Sequence, residues 1–195
     1  IGIGGSATND AGVGMAQALG AHFTDKNGQE IGYGGKELKN IQNIDLADLN
    51  SKIMETEIEV ACDVSNPLYG PEGAAYVYAP QKGADEEMVK ILDENLRYFS
   101  EIVQKELHKD IQKIPGAGAA GGLGAGLVAF LGAELRSGIE IVLEVNKVKE
   151  KLQKVDLVIT GEGKMDGQTV KGKTAVGIAR KAKKYNLPVI AINGS

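Results

Sequence analysis

VDLVIT at residues 155–160 and PVIAI at 188–192 bracket a glycine-rich loop and a helical run, TAVGIARKAKKY at 174–185. Both flanking runs are nearly continuous in apolar residues, as strands covered on two faces are. Strand, glycine loop, helix and strand make a βαβ unit, which implies a parallel sheet with helices on its faces and an α/β fold class. The sequence stops at Asn193-Gly194-Ser195, where a following helix would begin. It also starts on Ile1 rather than Met, so both ends read as boundaries inside a longer protein, and the lack of a signal peptide carries no weight.

Working back from that unit, Asp10 to Leu19 has helical composition, with Ser6 or Asn9 as N-cap candidates and Gly20 at the C′ position. His22-Phe23-Thr24 and Gln29-Glu30-Ile31 flank Asp25-Lys26-Asn27-Gly28, a hairpin signal. Residues 36–53 read as one or two short helices, and Ile58 to Val64 alternates as a strand does. A proline-bounded loop, NPLYGPEGAAYVYAPQKGA, follows it. Ala84 to Leu107 then carries Met88, Ile91, Leu92, Leu96, Phe99, Ile102, Val103 and Leu107 at three-and-four spacing, a helix of roughly 35 Å at about 1.5 Å per residue. In IPGAGAAGGLGAGLVAFLGAE small residues recur every fourth position, which on a helix makes a smooth face for a close neighbour. Ser137 is placed to cap a further helix.

Composition narrows the function. There are 27 glycines in 195 residues, close to twice the average share, while aromatics are 5% and Trp is absent, so close backbone approaches outweigh stacking rings. With a net charge of −4 and acids and bases interspersed, neither a basic stripe nor a stacking platform for nucleic acid is present. No apolar run approaches a membrane span. A single cysteine excludes a disulfide framework and suits a reducing, cytoplasmic setting. His22 and His108 form no recognisable metal or triad pattern, and Cys62 reads as a small buried hydrophobe.

Several loops carry possible chemistry. GAGAAG (Gly116, Gly118, Gly121) fits the dinucleotide fingerprint but follows a helix and a proline rather than a strand, so it reads first as packing. GQTVKGKT (Gly167–Thr174) fits the P-loop pattern, with Lys173 as its lysine, but GEGKMD separates it from the preceding strand. GEGKMDGQ (Gly161–Gln168) follows the carboxyl end of a buried strand and offers Glu162 and Asp166 around Lys164: carboxylates for Mg²⁺ or a hydroxyl proton, a lysine for phosphate. In the opening GGSATNDAG, the amides of Gly4, Gly5 and Ser6, the Ser6 hydroxyl and Asn9 can converge on an anion or simply form a turn and a cap. Asp63 ends a strand beside Ser65-Asn66-Pro67.

In combination, IGIGGSATNDAG, ACDVSNPLYGPEGAAYVYAPQKGA, GAGAAGGLGAGLVAFLGAELRSGIEIVLE and DLVITGEGKMDGQTVKGKT resemble the bacterial, ATP-dependent glycerate kinase family, in that family's order and over nearly the whole chain. The resemblance implies a two-domain α/β enzyme, of which residues 1–150 would be most of an inserted domain and 151–195 the βαβ start of a Rossmann-like domain. It also implies phosphorylation of glycerate by ATP with Mg²⁺, at the 2-position for this family type, by a protein of which these 195 residues are a central and by themselves inactive part. On that footing Gly4, Gly5, Ser6, Asn9, Lys164 and Lys173 would bind substrate or phosphate. Asp63 and Asp166 would serve as base or metal ligand, with Glu162 supporting the metal. The opening loop and GEGKMDGQ would face each other across the domain cleft. The chain departs from the family pattern at Ala11, where Gly is common, and at Lys164, where Arg is common; Lys keeps the charge but not the bidentate geometry. The readings of a different class are a non-catalytic dinucleotide- or nucleotide-binding module and a P-loop NTPase acting through Lys173.

Overall fold

A computed structural model describes residues 1–163 and 174–194. It is a mixed α/β chain of two compact units, residues 1–135 and 136–195. Each unit is considered by itself.

The first unit begins with α1 (Val13–Ala18), shorter than the sequence pattern. Its end is a Schellman turn, with Gly20 N–H donating to the Gln17 carbonyl (3.1 Å) and Ala21 N–H to the Ala16 carbonyl (2.9 Å). Gly20 has φ of +101°, as the predicted C′ residue requires. β1 (His22–Thr24) makes a single bridge, Thr24 to Glu30, across the predicted Asn-Gly turn. Its ladder is instead antiparallel to β2 (Asn43–Asp45), with Phe23 opposite Ile44. Both side chains are buried, and that burial decides the pairing. A 3₁₀ turn over Glu37–Asn40 and α2 (Ser51–Met54) complete the region read as short helices, which thus also contains a strand.

β3 (Glu59–Ala61) pairs with β4 (Glu134–Arg136). The proline-bounded stretch holds α3 (Ala74–Tyr78) and a 3₁₀ turn at Pro80–Lys82 where the sequence suggested only loop. Ala74 and Ala75 are fully buried, small enough to let α3 lie directly against its neighbours. α4 (Glu86–Leu107) is the helix its periodicity predicts, with Leu96, Phe99, Ile102 and Val103 buried but Met88 and Ile91 exposed, and Asp85 caps it by accepting from Met88 N–H at 2.8 Å. α5 (Ala119–Leu131) is kinked at its start: Ala120, Gly121 and Gly122 all have left-handed φ, so the smooth small-residue face begins only beyond them. Phe130 of α5 meets Phe23 and Phe99 edge-to-face, at 5.3 and 6.0 Å between ring centres, and this trio lies in the main core.

The second unit carries α6 (Gly138–Val145), α7 (Val148–Leu152), β5 (Val158–Glu162), α8 (Thr174–Lys183) and β6 (Val189–Asn193). β5 and β6 are parallel, with Val158 opposite Val189 and Glu162 opposite Asn193, as the βαβ reading requires. β5 starts and ends later than VDLVIT, so Gly161 and Glu162 belong to the strand. Val158 and Val189 pack with Ile178 and Ala182 of α8. The other face was expected to be buried but is open: Ile190 and Ile192 are 50% and 65% exposed, because among the described residues only one face of this two-stranded ladder is covered.

Candidate functional site

Residues 1–3 run parallel to β3, the Ala61 N–H donating to the Ile1 carbonyl (2.7 Å) and the Ile3 N–H to the Ala61 carbonyl (3.3 Å). Two parallel segments release their next residues at the same end, so Gly4-Gly5-Ser6 and Cys62-Asp63 leave this ladder side by side at its carboxyl edge. That edge is where α/β folds place ligands. Gly4 and Gly5 are exposed, with open space where a Cβ would lie, so their amides are accessible to a ligand. Asp63 is exposed as well.

Beyond Ser6 the loop is clamped. A Cβ on Gly35 would collide with the Asn9 carbonyl, and one on Gly121 would meet the Thr8 carbonyl and lie 2.8 Å from the Asn9 Cα. Ala11 N–H donates to the Gly121 carbonyl at 3.1 Å. Between these two glycine backbones Asn9 is only 8% exposed, yet neither its Oδ1 nor its Nδ2 has a hydrogen-bond partner. A buried amide with both ends idle costs free energy that a ligand would recover.

The expectation that Ser6 or Asn9 caps α1 is corrected. Asp10 does this work, its carboxylate accepting from Gly12 N–H (3.1 Å) and Gly14 N–H (3.2 Å). Asn9 cannot compete, because its backbone is held between Gly35 and Gly121 and its side chain makes no bond to the helix. Ser6 is engaged elsewhere: Lys82 Nζ donates to Ser6 Oγ at 3.1 Å and to the Thr8 carbonyl at 2.5 Å. Burial pushes the Lys82 ammonium below the usual lysine range, with Asp10 pulling the other way.

The glycine string at 116–126 is the scaffold that joins the two sides of this edge. Gly118 N–H donates to the Asn66 carbonyl at 3.0 Å, and a Cβ on Gly116 would lie 2.7 Å from Cys62 Sγ. Gly121, Gly122 and Gly126 lie against residues 8–12. These glycines are spent on backbone contact within the protein, as the packing reading of GAGAAG anticipates. Next to Asp63, the Tyr78 hydroxyl donates to Asn66 Oδ1 (2.6 Å) and Asn66 Nδ2 to the Glu72 carbonyl (2.8 Å), which fixes the Asn66-Pro67 turn. Cys62 is partly buried, and burial pushes its thiol up, away from thiolate chemistry.

In the second unit Glu162 closes β5 at its carboxyl end, on the α8-covered side of the ladder. Its Oε2 is enclosed and has no hydrogen-bond partner among the described residues. An unpartnered carboxylate oxygen at a strand's carboxyl end suits a hard cation.

A family model described as the glycerate kinase family matches residues 1–195. The chain belongs to the glycerate kinase family. It is 54% identical to the glycerate 2-kinase of Escherichia coli K12 and 54% identical to a glycerate kinase of Halalkalibacterium halodurans, in each case over all of this chain and 51% of the relative. A crystal structure from Salmonella typhimurium LT2, assigned as glycerate kinase 2, superposes with a TM-score of 0.90 at 51% identity, covering 99% of this chain and 52% of that one. The chain thus spans about half the length of the curated relatives it matches.

Within this glycerate kinase family chain, the structure brings Gly4, Gly5 and Ser6 to one edge with Asp63, and sets Asn9 on the clamped part of the same loop. Glu162 lies in the other compact unit. Lys164, Asp166 and Lys173, and with them most of GEGKMDGQ and the P-loop-like string, lie outside the described residues. Sequence reasoning passed over Lys82 and Asp10. Asp10 was legible as an Asx-type cap two residues before Gly12. The Lys82 contact spans 74 and 76 residues, and no local signal in PQKGA announces it.

Proposed function

We propose that the intact protein transfers the terminal phosphoryl group of ATP to a hydroxyl of glycerate, with Mg²⁺ as cofactor. The Pγ–O bond to the β-phosphate breaks and a new bond forms from Pγ to the hydroxyl oxygen. The hydroxyl proton passes to a carboxylate, for which Asp63 and Asp166 are the candidates, and ADP leaves. Such transfer is mostly positioning and charge neutralisation. The observation that carries the reading to this chain's own residues is the pair of exposed glycines Gly4 and Gly5 at the carboxyl edge shared with Asp63, with the enclosed, unpartnered Asn9 amide on the clamped part of the same loop. Such a loop can offer donors to a carboxylate or phosphate.

Glu162 fits the cation: its Oε2 is enclosed and unpartnered, and Asp166 would join it. When bound, Mg²⁺ neutralises phosphate charge. Lys164 and Lys173 would face phosphate. The name of the Escherichia coli relative supports the 2-hydroxyl as acceptor. The same proposal includes two domains, an inserted one over residues 1–150 and a Rossmann-like βαβ start over 151–195. The parallel β5–α8–β6 unit supports the latter. Since the chain spans about half of its relatives' length, the 195 residues alone would fold without turning over.

The deciding experiment is glycerate-dependent ADP release by the intact protein, with the phosphate position read by NMR. Calorimetry with ATP and with NAD(H) accompanies it. Phosphoglycerate formation with ATP binding is expected. NAD(H) binding without ATP binding would sink the kinase reading. Asp166→Asn at near-normal turnover, with the fold intact, would remove Asp166 from the site.

A further inference from the structure

We propose that Lys82 is a positioning residue, which holds the Ser6–Asn9 loop in its anion-binding shape and sets the direction of the Ser6 hydroxyl. This rests on the reading of that loop as a substrate or phosphate wall. The argument begins with where Lys82 stands. Pro80 fixes the first backbone angle of its 3₁₀ turn. Gly83 N–H donates to the Pro80 carbonyl (3.0 Å) and Ala84 N–H to the Ala79 carbonyl (3.1 Å), while Ala79 itself is in the main core. The Lys82 backbone is therefore a fixed point, built from α3 and the start of α4 and independent of the loop it reaches.

The loop needs such a point. Gly4 and Gly5 have no side chains, lie exposed and touch nothing from their Cβ positions, so nothing of their own fixes their course. The glycine clamp begins only at residue 8. Lys82 spans the gap, donating to Ser6 Oγ on one side and to the Thr8 carbonyl on the other. An ammonium is donor-only, so Ser6 Oγ is the acceptor of that bond and its own O–H proton is free to point elsewhere. A serine so held presents a donor to an anion. Withdrawing an ammonium partly from water is unfavourable unless it is well bonded, and here the return is loop order.

The test uses the intact protein with Lys82→Gln, Lys82→Arg, Ser6→Ala, Asn9→Ala and the Ser6→Ala/Lys82→Gln double variant. Lys82→Gln is expected to raise one KM, for glycerate or for ATP, by about tenfold with a smaller change in kcat, and Lys82→Arg to recover most of it. Which KM moves tells whether the bound anion is the carboxylate or the phosphate. In the Ser6→Ala background the Lys82→Gln effect should shrink, since both act through one hydroxyl. Amide hydrogen exchange over residues 4–12, which needs no turnover, should be faster in Lys82→Gln and near normal in Lys82→Arg.

Unchanged exchange in both variants, or both KM values within about twofold of the parent in Lys82→Gln, overturns the positioning role. Should that happen while Asn9→Ala raises a KM, the positioning role falls alone. Should Asn9→Ala leave both KM values unchanged, the loop is not the anion wall and both readings fall.

Discussion

A Cβ placed on Gly121 would lie 2.8 Å from the Cα of Asn9, with the Thr8 carbonyl closer still. Gly121 also has φ of +73°, so any side chain there is strained in two ways. Gly121→Ala is expected to destabilise the protein by about 2–4 kcal/mol, from left-handed strain plus overpacking. Gly28 supplies the contrast: its φ is +76° but nothing lies within 4 Å of its Cβ position, so Gly28→Ala should cost only about 1 kcal/mol. Urea midpoints of the two variants check the difference, and equal losses would mean that the clamp around Asn9 yields.

Asp10 is buried and accepts from the Gly12 and Gly14 amides. Asp10→Ala removes both bonds at the start of α1 and should lower stability by about 1–2 kcal/mol, whereas Asp10→Asn keeps an acceptor and should lose less. The same measurement on Asn9→Ala should show little loss, since the Asn9 side chain makes no hydrogen bond to forfeit.

Phe130 holds the first unit's core together through Phe23 and Phe99. Phe130→Ala is expected to cost about 3–5 kcal/mol, and Phe130→Leu distinctly less. Thermal unfolding of the two variants reads this order, and equal midpoints would deny the ring contacts their role.

His22 carries a pH signature. Its Nδ1 meets Glu30 Oε1 at 2.5 Å, and that hydrogen bond raises its pKa above the ordinary 6.5, with Asp48 adding to the effect. The protonated form is thus favoured in the folded state. The contribution is fully present below about pH 6.5 and is lost as pH rises through the raised value. His22 is exposed to solvent, so the effect is small and salt-sensitive. Urea midpoints measured from pH 5.5 to 8.5 should decline more for the parent than for His22→Gln; parallel curves would refute the assignment.

What was legible from sequence followed the range of the interactions. The α4 periodicity, the Gly20 stop and the β5–α8–β6 unit all depend on neighbours a few residues apart, and each is in the structure. Phe23 bonds across the Asn-Gly turn to Ile31, as the hairpin signal implies, but its ladder with Ile44 is decided by shared burial some twenty residues away. The kink at Ala120–Gly122 escaped notice because a small-residue repeat looks the same whether its glycines face a helix or bend into a loop. In the site, Gly4, Gly5, Ser6 and Asp63 declared themselves by residue type, and the parallel run of residues 1–3 beside β3 brings them to one edge. Lys82 was hidden because its partners precede it by 74 and 76 residues, with three strands and three α-helices between them.

The clamp on Asn9 also bears on redesign. Its backbone is gripped by Gly35 from one side and Gly121 from the other, so the loop cannot be lengthened or re-angled near residue 9 without dismantling two further segments. Ala7 is different: it is exposed and sits between the two Lys82 contacts. A redesign of this loop would leave the main chain alone and vary the side chain at position 7.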